Sequence, residues 1–284
     1  MTWPSNVITD VVFIPIYAVL LLASSYTVFK HGIARRFGFL FLVIFCIVRL
    51  IGNILGLVAF EQNYSSKGVV QGGLILQGLG YPFFLLSTLA FMDRAHNPQA
   101  LMMKAPTSKS LLGSLLLNPS PVKVLNLLTI VGTILLILGY TDDNTNLTAS
   151  PVKLDIKAKA GDIIYIVTTV LICLLVCFWR RRNIEIEAAT IYQYVSLVLV
   201  FMVIRVGYVS YLLLEKNTLQ APLWTKIILE YCPEILVVII YFVLGLSIKH
   251  IFANKESNLE LGESGETACK ACGIFSRLIS EAHP

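Results

Sequence analysis

Charge is what this sequence has least of. Only 14% of its 284 residues are charged, against 56% hydrophobic, with a mean hydropathy of +0.77. A soluble domain of that size and balance would expose large apolar patches to water, so the class is a polytopic membrane protein. No basic stripe interleaved with aromatics exists, which removes nucleic acid as a partner. Six cysteines are present, but none falls in an expected outer loop, so no disulfide framework is predicted. His31, His96, His250 and His283 never form a His-x-x-x-His pair, and Walker, G-x-S-x-G, G-x-G-x-x-G and aspartate-rich D-D-x-x-D/E patterns are missing. No metal site and no cofactor is therefore expected.

What is there is a set of long apolar runs. A spanning helix needs about 20 such residues. Seven segments qualify, at 10–29, 37–60, 69–92, 122–140, 162–179, 188–214 and 223–251. The fold class that follows is all-α, with a seven-helix transmembrane domain over 1–254 and a disordered tail over 255–284. The first run lacks a basic flank and a cleavage site and reads as a retained signal-anchor. Fourteen basic residues fall in the odd-to-even links and the tail, among them Arg35, Arg36, Arg180, Arg181 and Arg182, against six on the opposite side. The positive-inside rule then puts the N-terminus outside or in a lumen and the C-terminus in the cytosol. Two glycosylation sequons, at Asn63 and Asn146, fall on the outer side, in keeping with a glycoprotein. The predicted location is the endoplasmic reticulum or another endomembrane.

Smaller features have ordinary explanations. The run Ser110–Leu117 is too short to span and reads as interfacial. Gly52-x-x-x-Gly56 permits close helix approach, Pro82 predicts a kink, and Thr129 and Thr133 serve as polar contacts between helices. The first helix, with Asp10, Tyr17 and Tyr26, reads as a packing helix. Cys269 and Cys272 in the tail are half a zinc site or a lipid-anchor site.

The seventh run is different. It carries Lys226, Glu230 and Glu234 in steps of four on one helical face, continued by Tyr241. A charge in the bilayer centre costs at least about 2.5–3.5 kcal/mol, so two carboxylates within a turn require partners. Arg49 and Arg205, each buried in another apolar run, are the candidates. At about 1.5 Å per residue, Arg49 and Glu234 both lie about 18 Å from the outer end of their helices. Arg205 and Glu230 lie about 12–15 Å in. The arithmetic predicts Arg49 with Glu234 and Arg205 with Glu230, with Asn53, Gln77 and Tyr208 as hydrogen-bond partners. Such a cluster is either a structural network that fixes helix register or the wall of a site for a small amphiphilic molecule. In the second case Glu230 and Glu234 are the candidate acids. Arg49, Asn53, Gln77, Arg205, Tyr208, Tyr211 and Tyr241 are then the candidate substrate-binding residues.

Four motifs occur together: Cys46-Ile47-Val48-Arg49-Leu50-Ile51-Gly52-Asn53, Gly80-Tyr81-Pro82-Phe83-Phe84 running to Met92-Asp93-Arg94, Arg205-Val206-Gly207-Tyr208, and Glu230-Tyr231-Cys232-Pro233-Glu234-Ile235. They resemble a fungal seven-span integral-membrane family of unassigned function. In type, the chain is also similar to the metal-free, membrane-bound terpene cyclases of meroterpenoid pathways. That similarity implies Brønsted acid catalysis on a lipophilic prenylated substrate, epoxidised or not, in secondary metabolism. The rival reading is a seven-helix receptor or sensor of a small amphiphile, to which the Asp93-Arg94 pair corresponds. Against it, no N-P-x-x-Y run occurs in the seventh helix. A transporter ranks third, because no inverted repeat is visible.

Overall fold

The computed structural model describes residues 5–30, 37–62, 66–96, 121–141, 156–180, 186–215 and 223–247. Among the described residues every element is a helix: α1 Ser5–Lys30, α2 Phe37–Glu61, α3 Lys67–His96, α4 Pro121–Thr141, α5 Ile156–Arg180, α6 Ile186–Glu215 and α7 from Leu223. Seven of them are long and apolar enough to cross a membrane, so this is a multi-pass membrane protein in a lipid environment. Contacts divide the chain into Met1–Val243 and Leu244–Pro284, and the ion cluster and cavity described below lie within the first. Asn63, Asn146, the 110–117 run, Cys269 and Cys272 lie outside the described residues.

Neighbours in sequence are neighbours in space. α1 packs on α2, α2 on α3, α3 on α4, α4 on α5, α5 on α6 and α6 on α7, while α7 returns to α1. α3 also touches α5 and α6, which makes it the central helix of the bundle. The outward faces carry bare apolar side chains such as Leu22, Phe29, Leu174 and Val200, as lipid contact requires.

Small residues set the α4–α5 approach. A side chain at Gly139 would overlap the backbone of Ala158, and one at Gly161 would meet the Gly132 carbonyl at 2.8 Å. Close backbone packing of this kind is how helices adhere where lipid removes the hydrophobic drive. α5 begins at Ile156, six residues before the expected start, because the Lys-Ala-Lys-Ala run is helix-forming and Ala158 is wholly buried against α4. Asp162 thus sits more than a turn inside its helix.

α7 departs from regular geometry. It is α-helical over Leu223–Lys226, turns into π-helix over Ile227–Tyr231 and returns to α-helix over 232–247. The Cys232 N–H donates to the Ile227 carbonyl, a five-residue reach. Pro233 explains it. A proline has no N–H to offer the fourth residue back, and its ring crowds that carbonyl; widening the preceding turn relieves both. One consequence is that Lys226 and Tyr231 share a face, with the ammonium 5.8 Å from the ring centre. By contrast α3 runs continuously through Pro82.

Candidate functional site

Midway through the bundle, Glu234 is wholly buried and shared by three helices besides its own. Arg49 from α2 and Arg205 from α6 both donate to its Oε1, Arg205 through Nε at 2.6 Å and again through Nη2. Tyr17 from α1 donates to Oε2 at 2.5 Å. Arg49 Nη2 also reaches Glu230 at 3.2 Å. Gly80 makes room on α3, since any side chain there would stand 3.1 Å from Arg49 Nε and 3.4 Å from Arg205 Nη2. Tyrosine rings complete the cage: the Arg49 guanidinium lies 5.6 Å from Tyr231 and that of Arg205 lies 5.2 Å from Tyr81.

The expected partner of Arg205 was Glu230, and it is Glu234 instead. Helical side chains lean toward the N-terminus of their helix. α6 arrives at this end of the bundle and α7 leaves it, so Arg205 leans inward while Glu230 and Glu234 lean outward. Arg205 therefore meets the deeper acid. Glu230 is left facing a cavity.

That cavity, of about 160 Å³, lies at the end of the bundle where α1, α3, α5 and α7 begin, and all seven helices contribute to its wall. Its polar groups are Asp10, Gln77, Asp162, Arg205, Lys226 and Glu230. Its aromatic wall is Tyr81, Tyr140 and Tyr165. The Tyr81 hydroxyl bonds with Thr169 Oγ1 at 2.6 Å, and the Tyr165 hydroxyl donates to Thr133 at 3.1 Å, so both phenols are already engaged. Asp10 accepts from Tyr231 at 3.3 Å, and only glycine fits opposite it, because a side chain at Gly56 would come within 2.5 Å of the Asp10 carboxylate. Asp162 is 2% exposed, and its Oδ2 has no partner among the described residues. Arg205 is 3% exposed, and its Nη1 is likewise without one.

Of the candidate acids and substrate-binding residues named from the sequence, Gln77, Arg205 and Glu230 line the cavity. Arg49 and Glu234 lie in the ion cluster, off the cavity wall. Tyr241 is wholly buried and bonds with Thr88 at 2.5 Å, also off the wall. Asn53 and Tyr208 are buried with side-chain polar atoms unpartnered among the described residues, so they are not the hydrogen-bond partners expected of them. Tyr211 is 43% exposed and does not line the cavity. Lys226 is half-buried and forms no ion pair with Glu230.

α1 is more than a packing helix. Asp10, Phe13 and Tyr17 are spaced three and four apart, one stripe of a helix, and all three are buried. Phe13 stacks on Tyr231 at 4.1 Å, and Tyr17 reaches Glu234. Asp162, Tyr165 and Thr169 form a second such stripe on α5. Both stripes are visible in the sequence once an acid is taken as the anchor.

The fold and site define a seven-helix membrane protein with a buried ion cluster beneath an aromatic-walled cavity. Residues 6–251 match a family described as a domain of unknown function (DUF7702), and the chain belongs to that family. No curated protein and no solved structure matches it.

Proposed function

We propose that this protein is an endomembrane cyclase that isomerises a lipophilic, terpenoid-type substrate by Brønsted acid catalysis, with Asp162 as the proton donor. The observation that carries the reading is Asp162 itself, a buried acid that lines a tyrosine-walled cavity and has one oxygen without a partner among the described residues. Glu234 is a poor donor, because Arg49, Arg205 and Tyr17 all donate to it and leave it an acceptor. Glu230 is half engaged by Arg49 and is the second candidate.

The chemistry balances within one substrate. Transfer of the Asp162 proton to an epoxide oxygen or an alkene carbon breaks the C–O or π bond and leaves a carbocation. A second alkene of the chain closes the ring. Loss of a proton from the carbon beside the final cation returns the acid to its starting form. The faces of Tyr81, Tyr140 and Tyr165 stabilise the cation, and the apolar lining from Val7, Leu55, Leu74 and Leu136 disfavours the water that would quench it.

Microsomes bearing the full chain, fed a prenylated phenol and its epoxide, test this. Isomeric cyclised product is expected from the wild type, with a loss of about 10²–10⁴-fold in Asp162→Asn. Unchanged product from that variant refutes the acid assignment.

One contact favours a sensor as the second reading. Glu230 lines the cavity and also touches Arg49, so an occupant acts directly on the cluster that joins α1, α2, α6 and α7. Ligand-dependent stabilisation without turnover of any prenyl substrate would select it.

The cavity end faces the lumen or exterior in this proposal, and the tail the cytosol; the charge asymmetry of the links supports that orientation. Loss of a deglycosylation-sensitive mobility shift in Asn146→Gln is the expected check.

A further inference from the structure

Lys226 turns an amine into the bundle and pairs it with no acid. The residue lines the cavity and is half-buried. Its Nζ lies 5.8 Å from the ring centre of Tyr231, a side chain with no solvent exposure. Of the charges acting on buried Asp10, that of Lys226 is the strongest, and Glu230 feels it next after that of Arg49. The nitrogen end, and not the stem alone, therefore reaches the interior. It makes no hydrogen bond and no ion pair among the described residues. The π-turn explains this. In an α-helix Lys226 and Glu230, four apart, would stack on one face; the wider turn between them moves the contact on to the fifth residue, Tyr231. The amine is thus presented to a ring, with two acids at longer range, and neither acid locks it.

The rest of the wall decides what such an amine can serve. A carboxylate or phosphate on a ligand would find Lys226 but would also meet Asp10, Asp162 and Glu230. An amine on a ligand would meet Lys226 itself. A neutral carbonyl compound brings no charge into a place where charge is expensive, and a lysine amine on an apolar wall condenses with it. Aldehydes are the least hindered compounds that do so. We infer that Lys226 is the attachment site for a lipophilic aldehyde, held as an imine. Val7, Leu55, Leu74, Leu136, Val206 and Val209 receive its hydrocarbon, and about 160 Å³ admits on the order of ten non-hydrogen atoms.

The step balances without any further reactant. The ammonium gives up a proton, its lone pair attacks the carbonyl carbon, and the carbinolamine loses water as the proton returns. One aldehyde and one ammonium become one iminium and one water, with the charge unchanged. Asp10, Glu230 and the Tyr231 face, which already act on the ammonium, balance the iminium in its place. The inference goes beyond the cyclase reading, since it uses the α7 amine and no proton from Asp162.

The test uses the purified full-length protein in phosphatidylcholine nanodiscs, whose lipid has no primary amine. Geranial is titrated in the presence of cyanoborohydride, which reduces an imine to a stable amine, and peptide mass spectrometry locates each added geranyl group. Saturable labelling of Lys226 is expected, at least about tenfold above that of any other lysine at half-saturation. Lys157, which is exposed, is the internal comparison, because reaction governed by accessibility alone would mark it first. Lys226→Arg keeps the positive charge that acts on Asp10 and Glu230. It should lose the saturable label, while the slow labelling of other lysines and the thermal unfolding midpoint stay as in the wild type. The inference is overturned if Lys226 stays unmodified, if Lys157 or another lysine is labelled as fast, or if labelling of Lys226 rises without saturating. The wild-type protein alone yields each of these outcomes, so a variant that fails to fold does not protect the inference. No turnover enters the readout, so labelling of Lys226 in a protein that cyclises nothing refutes only the cyclase reading.

Discussion

Glu234 and Asp162 are both fully buried acids in the same bundle, and their surroundings differ completely. Glu234 receives two guanidiniums and a phenol from three other helices. Asp162 has an oxygen with no partner and a cavity in front of it. Burying an ion is costly, and the cost is offset only where partners are fixed in place. The contrast marks the first acid as a structural junction and the second as a place kept open for something else. Glu230 stands between the two, with one face on each.

The sharpest way to break this comparison is to remove the junction. Glu234→Ala strands two buried guanidiniums, and a loss of about 3–5 kcal/mol of stability is expected in a denaturant titration in mixed micelles. Asp162→Ala in the same assay should cost less than about 1 kcal/mol, since no strong partner is lost. Equal losses at the two sites would erase the distinction. Gly139→Val tests the frame that holds the cavity open on one side. Its side chain overlaps the α5 backbone at Ala158, so α4 and α5 must separate, with an expected cost of about 1–3 kcal/mol and weakened ligand response. Tyr17→Phe removes one donor to Glu234 and leaves both arginines, so about 1–2 kcal/mol is expected in the same denaturant titration. Tyr211→Phe should lie within about 0.5 kcal/mol of the wild type in every assay.

Much of the fold was legible in the sequence because a bilayer imposes a length on each apolar run. All seven spans were readable on that basis, and their boundaries moved by a few residues, with α5 gaining a turn where Ala158 packs against Gly139. The Arg49–Glu234 pair was readable for a related reason: charges in apolar helices must meet at matched depth. Arg205 was assigned the wrong acid because depth along a helix ignores the direction in which its side chains lean. Tyr211 was named among the candidate substrate-binding residues, yet six residues beyond Arg205 it has turned toward the outside of the bundle. Asp10, Tyr17 and Asp162 were underrated because Asp10 and Asp162 are each the lone acid of an apolar run and Tyr17 shares the run of Asp10. Only the stripe of buried neighbours three and four residues away distinguishes them from surface positions.

By itself, then, the sequence determined that seven apolar helices share a few internal charges, since hydrocarbon leaves no other way to place them. Which acid is saturated and which faces open space was decided only in the tertiary structure. The π-turn before Pro233, the opposed directions of α6 and α7, and the gap that Gly80 leaves for two arginines bring Arg205 to Glu234 and leave Asp162 on the cavity wall. Those are relations between helices, and no single helix carries them in its own residues.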